Sequence, residues 1–105
     1  MEAFVKVAST NDLPSGGLML IEIQDKRIVL TNVDGKYYAL ADLCTHAECP
    51  LSDGELDADT LVCPCHGSRF DVRTGEAMTP PAIEPLTCYE VRIDGQDIMI
   101  ESPIQ

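Results

Sequence analysis

Two short segments rich in cysteine and histidine constrain this chain more than any other feature. The first is Cys44-Thr45-His46, and the second is Cys63-Pro64-Cys65-His66. The protein contains 2 histidines, and both fall inside these segments. Each segment offers one thiolate and one imidazole at close spacing, a pattern that is typical of metal sites. The sequence therefore predicts one metal centre, whose candidate ligands are Cys44, His46, Cys63 and His66.

The residues by themselves leave three interpretations of this quartet open. Structural zinc is one, since sites with two cysteines and two histidines are common. A [2Fe–2S] cluster with imidazoles in place of two thiolates is another. The third is that these side chains are inert packed thiols and hydrogen-bonded histidines. Zinc fingers usually place Cys beside Cys and His beside His, the latter on a helix. Here each segment supplies one of each and neither is helical in pattern, which favours a binuclear cluster.

Length and composition limit the classes of protein that fit. A chain of 105 residues is expected to form a single domain, residues 1–105. Its 18 acidic and 7 basic residues give a net charge of −11, which argues against nucleic-acid binding. The charge fits a partner with a basic docking face and, equally well, a solvated acidic surface with no such partner. The longest apolar run, Leu18–Ile21, is too short to cross a membrane. No secretory signal follows Met1, so we expect a cytoplasmic protein without a membrane segment.

Apolar alternation and turn residues predict an all-β domain. Turn chemistry at Asp34-Gly35 and Asp94-Gly95 separates runs that are rich in β-branched and aromatic residues, and no window shows apolar groups at helical spacing. The predicted strands are residues 3–8, Leu18–Ile23, Arg27–Thr31, Lys36–Ala41, the alternating stretch 89–93 and Asp97–Glu101. Together they predict a small sandwich or barrel of antiparallel strands.

The middle of the chain, residues 42–86, has a different character. It is rich in glycine and proline, with only short apolar pieces at residues 61–62 and 70–72. Such a loop-rich insert needs a reason to stay ordered, and metal–ligand bonds would offset the entropy of fixing it. The acidic run between residues 53 and 59 is expected to be a solvated loop, with calcium binding as the alternative. For Arg69 and Arg73 we expect solvated surface positions, with docking charges near the cluster as the alternative.

The motifs in this middle region resemble those of Rieske iron–sulfur domains. The resemblance rests on Cys44-Thr45-His46, on the stretch 63–71 (Cys-Pro-Cys-His-Gly-Ser-Arg-Phe-Asp), on Thr74-Gly75-Glu76-Ala77 and on the proline-rich turn that follows. It implies the Rieske-like fold of small antiparallel sheets with a loop-rich cluster-binding subdomain at about 42–86. It also implies one [2Fe–2S] cluster, with Cys44 and Cys63 on the inner iron and His46 and His66 on the outer iron. Potentials of such centres span about −150 to +300 mV.

The resemblance assigns roles to residues around the cluster as well. Pro81 lies where the family has a third loop that covers the cluster. Cys49 and Cys65 match a cysteine pair that forms a disulfide in the Rieske proteins of cytochrome bc complexes; two packed thiols are the alternative, since a cytosolic home weighs against a disulfide. Ser68 keeps a hydroxyl that raises the potential in high-potential members, whereas Phe70 lacks the phenol found there. These two positions together predict an intermediate potential.

The function that the resemblance implies is that of a one-electron carrier with no catalysis of its own. Its implied partners are an NAD(P)H-dependent flavin reductase and a terminal Rieske oxygenase, and a monomer suits a carrier that visits both. Within the family, the alternative is a small redox subunit of an enzyme such as assimilatory nitrite reductase. Outside it, a zinc-stabilised β domain that binds proteins stays open, as does a redox sensor that uses Cys49 and Cys65 as its switch.

Overall fold

The computed structural model describes residues 4–23, 26–42, 49–65, 67–79 and 84–101. Within these ranges the chain forms ten strands and two short 3₁₀ helices, Thr10–Asp12 and Leu51–Asp53. The strands are β1 Phe4–Ser9, β2 Leu18–Ile23, β3 Lys26–Val33, β4 Lys36–Ala41, β5 Glu55–Asp57, β6 Thr60–Val62, β7 Arg69–Asp71, β8 Cys88–Tyr89, β9 Val91–Asp94 and β10 Asp97–Glu101. The predicted all-β class is confirmed.

Three antiparallel sheets make up the described fold. The order is β1-β10-β9 in the first sheet, β2-β3-β4-β8 in the second and β5-β6-β7 in the third. The hairpin between β3 and β4 turns at Asp34 and Gly35, which have φ values of 53° and 89°. Positive φ at both central residues is the geometry that suits the twist of adjacent strands, so the turn predicted there is confirmed.

The second sheet is the central layer, because both of its faces are covered. On β3, Ile28 and Leu30 pack with Ile98 and Ile100 of the first sheet. Val29, on the opposite face of the same strand, belongs to a second core cluster that extends to the third sheet. A strand that is buried on both sides carries a continuous apolar run. This is why Ile28–Leu30 does not alternate with polar residues.

The second core cluster supports the loop-rich region. It contains Val29, Leu40, Leu51, Leu61, Cys63, Phe70, Val72 and Leu86, each exposed by 5% or less. Because Leu61 and Phe70 lie on neighbouring strands of the third sheet and are fully buried, this small sheet is fastened to the central layer. A candidate ligand, Cys63, is thus part of a packed core.

Two expectations for residues 42–86 were wrong. The region contains a three-stranded sheet, and the acidic run at 53–59 is not simply a solvated loop, because Glu55–Asp57 is strand β5. Arg69 and Arg73 lie at the surface as expected, with 40% and 56% of their side chains exposed, and both form ion pairs there. Arg69 pairs with Asp57 at 2.8 Å, which joins β7 to β5. Arg73 pairs with Asp59 and Asp71 at 3.1 and 3.3 Å.

Candidate metal centre

The second ligand segment begins as a tight turn between β6 and β7. The backbone N–H of Cys63 donates to the carbonyl of Ser68 at 2.8 Å, and the N–H of Gly67 donates to the carbonyl of Cys63 at 3.1 Å. Gly67 has φ 76°, a left-handed conformation that glycine adopts without steric cost. The turn holds Cys63 at the end of β6 with 1% of its surface exposed.

Three of the four predicted ligands lie outside the described residues. These are Cys44, His46 and His66. The structure therefore gives the surroundings of one ligand, Cys63, and the anchoring of the segments that carry the others.

Cys49 and Cys65 are joined by a disulfide that links the two ligand segments. Their Cα atoms are 6.4 Å apart and 16 positions separate them in sequence. The sulfur atoms of Cys49, Cys63 and Cys65 all lie within 4.8 Å of one another. A sulfur atom engaged in a disulfide does not act as a thiolate ligand, so these three sulfurs do not form a metal site by themselves. Cys63 is the one of the three that stays available to a metal.

The surroundings of Cys63 fit the iron–sulfur cluster that the sequence predicts. Its thiol is free and buried, as an inner thiolate ligand requires. Its backbone is held by two hydrogen bonds in the turn. Cys63 also helps to line a cavity of about 380 Å³, together with Asp53, Glu55 and Pro64. The donor set of two thiolates and two imidazoles is that of a histidine-ligated [2Fe–2S] centre.

The segment that leads to the third loop is tied to the second ligand turn. The backbone N–H of Arg69 donates to the hydroxyl of Thr79 at 2.9 Å. The N–H of Met78 donates to the carbonyl of Arg69 at 2.7 Å. Pro81, which the resemblance places over the cluster, lies outside the described residues.

The two residues expected to tune the potential are both fully buried. Ser68 and Phe70 each have 0% exposure. Phe70 packs among the apolar side chains of the second core cluster. Ser68 sits at the foot of the Cys63 turn, where its carbonyl accepts the Cys63 N–H. A hydroxyl at this position is close in sequence to two candidate ligands.

Electrostatics around the third sheet are set by acidic residues. The hydrogen bond from Arg73 holds the pKa of Asp71 below its ordinary value, and Asp71 in turn raises the pKa of Arg73. Asp53 and Glu55 lie beside Cys63 along the cavity. The side of the domain near Cys63 is therefore negatively charged.

Sequence reasoning missed one residue next to the first ligand segment, Asp42. Its side chain is 0% exposed and accepts hydrogen bonds from Arg27 and Ser52. An aspartate just after a strand normally reads as a turn residue, so the chain offers no local signal of this role. Cys88 is a free thiol on an exposed residue, and Tyr37, Tyr38 and Tyr89 pack against the two cores.

No helix among the described residues is long and apolar enough to span a membrane.

Comparison with known proteins agrees with this site. A family model described as the Rieske [2Fe-2S] domain matches residues 3–90. The biphenyl dioxygenase ferredoxin subunit of Pseudomonas sp. (strain KKS102) is 38% identical over 99 residues, which cover 93% of this chain and 91% of that protein. The ferredoxin of carbazole 1,9a-dioxygenase from Nocardioides aromaticivorans IC177 superimposes with a TM-score of 0.89 at 32% identity, covering 93% of this chain and 96% of that one. A chain from the complex of reduced oxygenase and oxidized ferredoxin in carbazole 1,9a-dioxygenase gives a TM-score of 0.89 at 30% identity, covering 93% and 92%.

The all-β fold and the buried Cys63 thiol agree with the small iron–sulfur protein of the electron-transfer class that the sequence predicts. The family match over residues 3–90 then makes the assignment specific: the chain belongs to the Rieske [2Fe–2S] domain family. The predicted fold and the predicted cofactor, a [2Fe–2S] cluster, are confirmed by this membership, which sets the zinc interpretation aside. The relatives are ferredoxin components of dioxygenase systems, so this chain is an electron carrier and not a catalytic subunit.

Proposed function

We propose that this protein accepts single electrons from an NAD(P)H-dependent flavin reductase and delivers them to the terminal oxygenase of an aromatic-ring dioxygenase system. The observation that carries the proposal is the 38% identity to a dioxygenase ferredoxin subunit across 93% of this chain and 91% of that one. We further propose that the protein works as a monomer in the cytoplasm.

Four residues would hold the cluster. Cys44 and Cys63 would bind the inner iron and His46 and His66 the outer iron, as the family motif assigns them. When bound, the cluster supplies reversible exchange of one electron at a potential that its two neutral imidazole ligands raise above that of an all-thiolate cluster. The burial of Cys63 and the free state of its thiol support its place on the inner iron.

The surrounding chain contributes rigidity. The turn at Cys63 is closed by backbone hydrogen bonds, and the contact of Thr79 with Arg69 ties the third loop to it. Loops that are held before the electron arrives need little rearrangement when charge is gained or lost, because their dipoles are already oriented. A carrier that exchanges electrons with two partners needs loops that rearrange little in each exchange.

We propose that the bridge between Cys49 and Cys65 exists in the purified holoprotein. Complete alkylation in denaturant without reductant, followed by mass spectrometry, tests it. The expected result is label on Cys44, Cys63 and Cys88 only. Treatment with reductant before alkylation is the control and should add label at both bridge positions. Label on Cys49 and Cys65 without reductant would show two free thiols in place of the bridge.

The proposed function is tested first by spectroscopy. Visible absorption and electron paramagnetic resonance of the dithionite-reduced protein should show a chromophore that bleaches by one electron per chain and a rhombic signal of a histidine-ligated cluster. The same protein should then be mixed anaerobically, once reduced, with a purified terminal oxygenase of a biphenyl or carbazole dioxygenase. Reoxidation of the chain by the oxygenase at a rate proportional to oxygenase concentration supports the proposed partner.

Two controls make this experiment decisive. Bovine serum albumin in place of the oxygenase measures reoxidation by traces of oxygen. A Cys63→Ser variant measures what remains when the proposed inner thiolate is replaced by a weak oxygen donor. A colourless wild-type protein would overturn the carrier function itself, whereas a normal cluster that the oxygenase reoxidises no faster than albumin does would overturn the proposed partner alone.

A further inference from the structure

Asp42 is a buried carboxylate at the base of the first ligand segment. It directly follows β4, and Cys44 comes two positions later in the sequence. Its side chain is 0% exposed. Because burial of a carboxylate is costly unless its oxygen atoms are paired, the residues that pair with it indicate what the burial achieves.

The partners of Asp42 come from both ends of the segment. The backbone N–H and the hydroxyl of Ser52 donate to the two carboxylate oxygens at 2.6 and 2.9 Å. Arg27, on β3, donates to the carboxylate at 3.2 Å. The backbone of Asp42 adds two bonds: its N–H donates to the Arg27 carbonyl at 3.1 Å, and its carbonyl accepts the Leu51 N–H at 3.1 Å. Asp42 is therefore bonded to β3 and to the short helix Leu51–Asp53.

This arrangement closes the stretch between residues 42 and 51, which contains Cys44, His46 and Cys49. Leu51 is itself fully buried in the second core cluster, so the far end of the stretch cannot shift without disturbing that core. The near end is fixed by the pairing of β4 with β3. Asp57, by comparison, is 60% exposed and pairs with Arg69 at the surface. Asp42 differs from Asp57 in burial and in the number of donors.

We propose that Asp42, Ser52 and Arg27 form a clasp that positions the first ligand segment relative to the second. The inference rests on the proposed ligand roles of Cys44 and His46. Asp42 is a positioning residue here, since it acts through the segment and not by contact with the metal. With the clasp closed, both ends of the stretch that carries Cys44 and His46 in sequence are held, as is the turn of Cys63.

The test compares cluster retention in holoprotein variants at Ser52. Ser52→Ala removes the hydroxyl donor and keeps the charge of Asp42, and Ser52→Thr restores a hydroxyl. Loss of visible absorbance in excess chelator gives the release rate. We expect Ser52→Ala to release the cluster about tenfold faster than wild type, because one hydrogen bond to a charged acceptor is lost. The release rate of Ser52→Thr should stay within about twofold of the wild-type rate. The resonance signal of Ser52→Ala should broaden, while that of Ser52→Thr should overlay the wild-type signal.

A destabilised variant far from the clasp separates positioning from general stability. Ile98→Val trims a fully buried side chain in the core between the first and second sheets. It should lower the midpoint of urea unfolding without changing the release rate or the resonance line shape. If Ile98→Val speeds release as much as Ser52→Ala does, or if Ser52→Ala releases at the wild-type rate, the clasp is overturned. A wild-type protein that holds no cluster would overturn the proposed function instead.

The role of Asp42 itself is tested by a double variant that combines substitutions at Asp42 and Ser52. The single variant Asp42→Asn should also speed cluster release, because an amide offers one acceptor oxygen where the carboxylate offers two. When residues interact directly, the effects of substituting them are not additive. The double variant Asp42→Asn with Ser52→Ala should therefore have a release rate whose increase over wild type is smaller than the product of the two single fold-increases. Full multiplication of the two effects would show that the residues act independently, and the clasp would be overturned.

Discussion

At the scale of single residues, Ser68 is the side chain we expect to raise the potential. It is fully buried at the foot of the Cys63 turn. By the family resemblance its hydroxyl donates to cluster sulfur, and such a donor stabilises the extra negative charge of the reduced state. Ser68→Ala should lower the midpoint potential by about 40 mV, the one-electron equivalent of about 1 kcal/mol. Protein-film voltammetry measures it, with Ser15→Ala, in a surface loop, as the control; an unchanged potential in Ser68→Ala would exclude this role.

Cys88 offers a second prediction at this scale. Although the residue is exposed as a whole, partial burial of its sulfur raises the pKa of the Cys88 thiol above 9.0, and the nearby Asp71 carboxylate raises it further. Because the thiolate is the reactive form, alkylation of Cys88 should be slow at neutral pH. Its rate should rise with pH to a midpoint above 9.0. Mass spectrometry of the Cys88 peptide after timed iodoacetamide treatment of the holoprotein checks this, and a midpoint at or below 9.0 would contradict it.

At the scale of elements, Gly75 connects the third sheet to the segment before β8. Its N–H donates to the Asp71 carbonyl and its carbonyl accepts the Leu86 N–H, both at 2.7 Å. It has φ 80°, and a Cβ there would overlap the Leu86 carbonyl and lie 3.0 Å from the Cys88 sulfur. Gly75→Ala should therefore reduce the free energy of unfolding by about 3 kcal/mol or more, from backbone strain and displacement of Leu86 together.

Gly35 supplies the matched control for this prediction. It has φ 89°, but a Cβ there would meet nothing within 4 Å. Gly35→Ala should reduce the free energy of unfolding by only about 1 kcal/mol, the strain of a left-handed conformation at a residue with a Cβ. Urea unfolding of the two variants beside wild type gives both values. Equal losses at the two positions would mean that the contact with Leu86 contributes nothing.

The elements also show what a single sequence can and cannot predict. The hairpins of the first two sheets were predictable because turn residues and apolar runs lie next to each other in the chain. The third sheet was missed because its strands are three residues long, too short for any periodicity to be recognised, and because the packing of Leu61 and Phe70 against the central sheet stabilises it. In the sequence its acidic residues resemble a solvated loop, because their pairing with Arg69 and Arg73 is visible only in the structure.

The candidate site likewise has parts that the sequence predicts and parts that it does not. The ligand quartet was readable because metal binding demands rare residue types at fixed spacing. The partnership of Asp42 with Ser52 was not, since it joins two common residues ten positions apart through tertiary structure. Motifs thus report the chemistry of a site, whereas the contacts that support it emerge only from the fold.

At the scale of the whole molecule, the basic residues are largely neutralised within the protein. Lys6 pairs with Asp97 and Arg27 with Asp42, and the two arginines of the third sheet are paired as well. The chain carries 18 acidic residues against 7 basic ones, so the net charge is −11 even where basic side chains are paired. Asp53 and Glu55 place part of this charge beside Cys63. Such a field attracts cations to the side of the molecule where electrons are expected to leave.

Small oxidants of defined charge measure this field without a protein partner. The reduced protein should transfer its electron to a cobalt(III) hexaammine-type cation with a rate that falls about tenfold as ionic strength rises from about 0.01 to about 0.1 M, because salt screens the attraction. Anionic hexacyanoferrate(III) should show a rate that rises over the same range. Asp53→Asn should slow the cationic reaction at low salt more than Asp94→Asn, although both remove one charge, because Asp53 lies beside the Cys63 cavity and Asp94 ends β9 in another sheet. Equal slowing by the two variants would show that only the net charge matters. The electron would then leave through a surface that Asp53 does not influence.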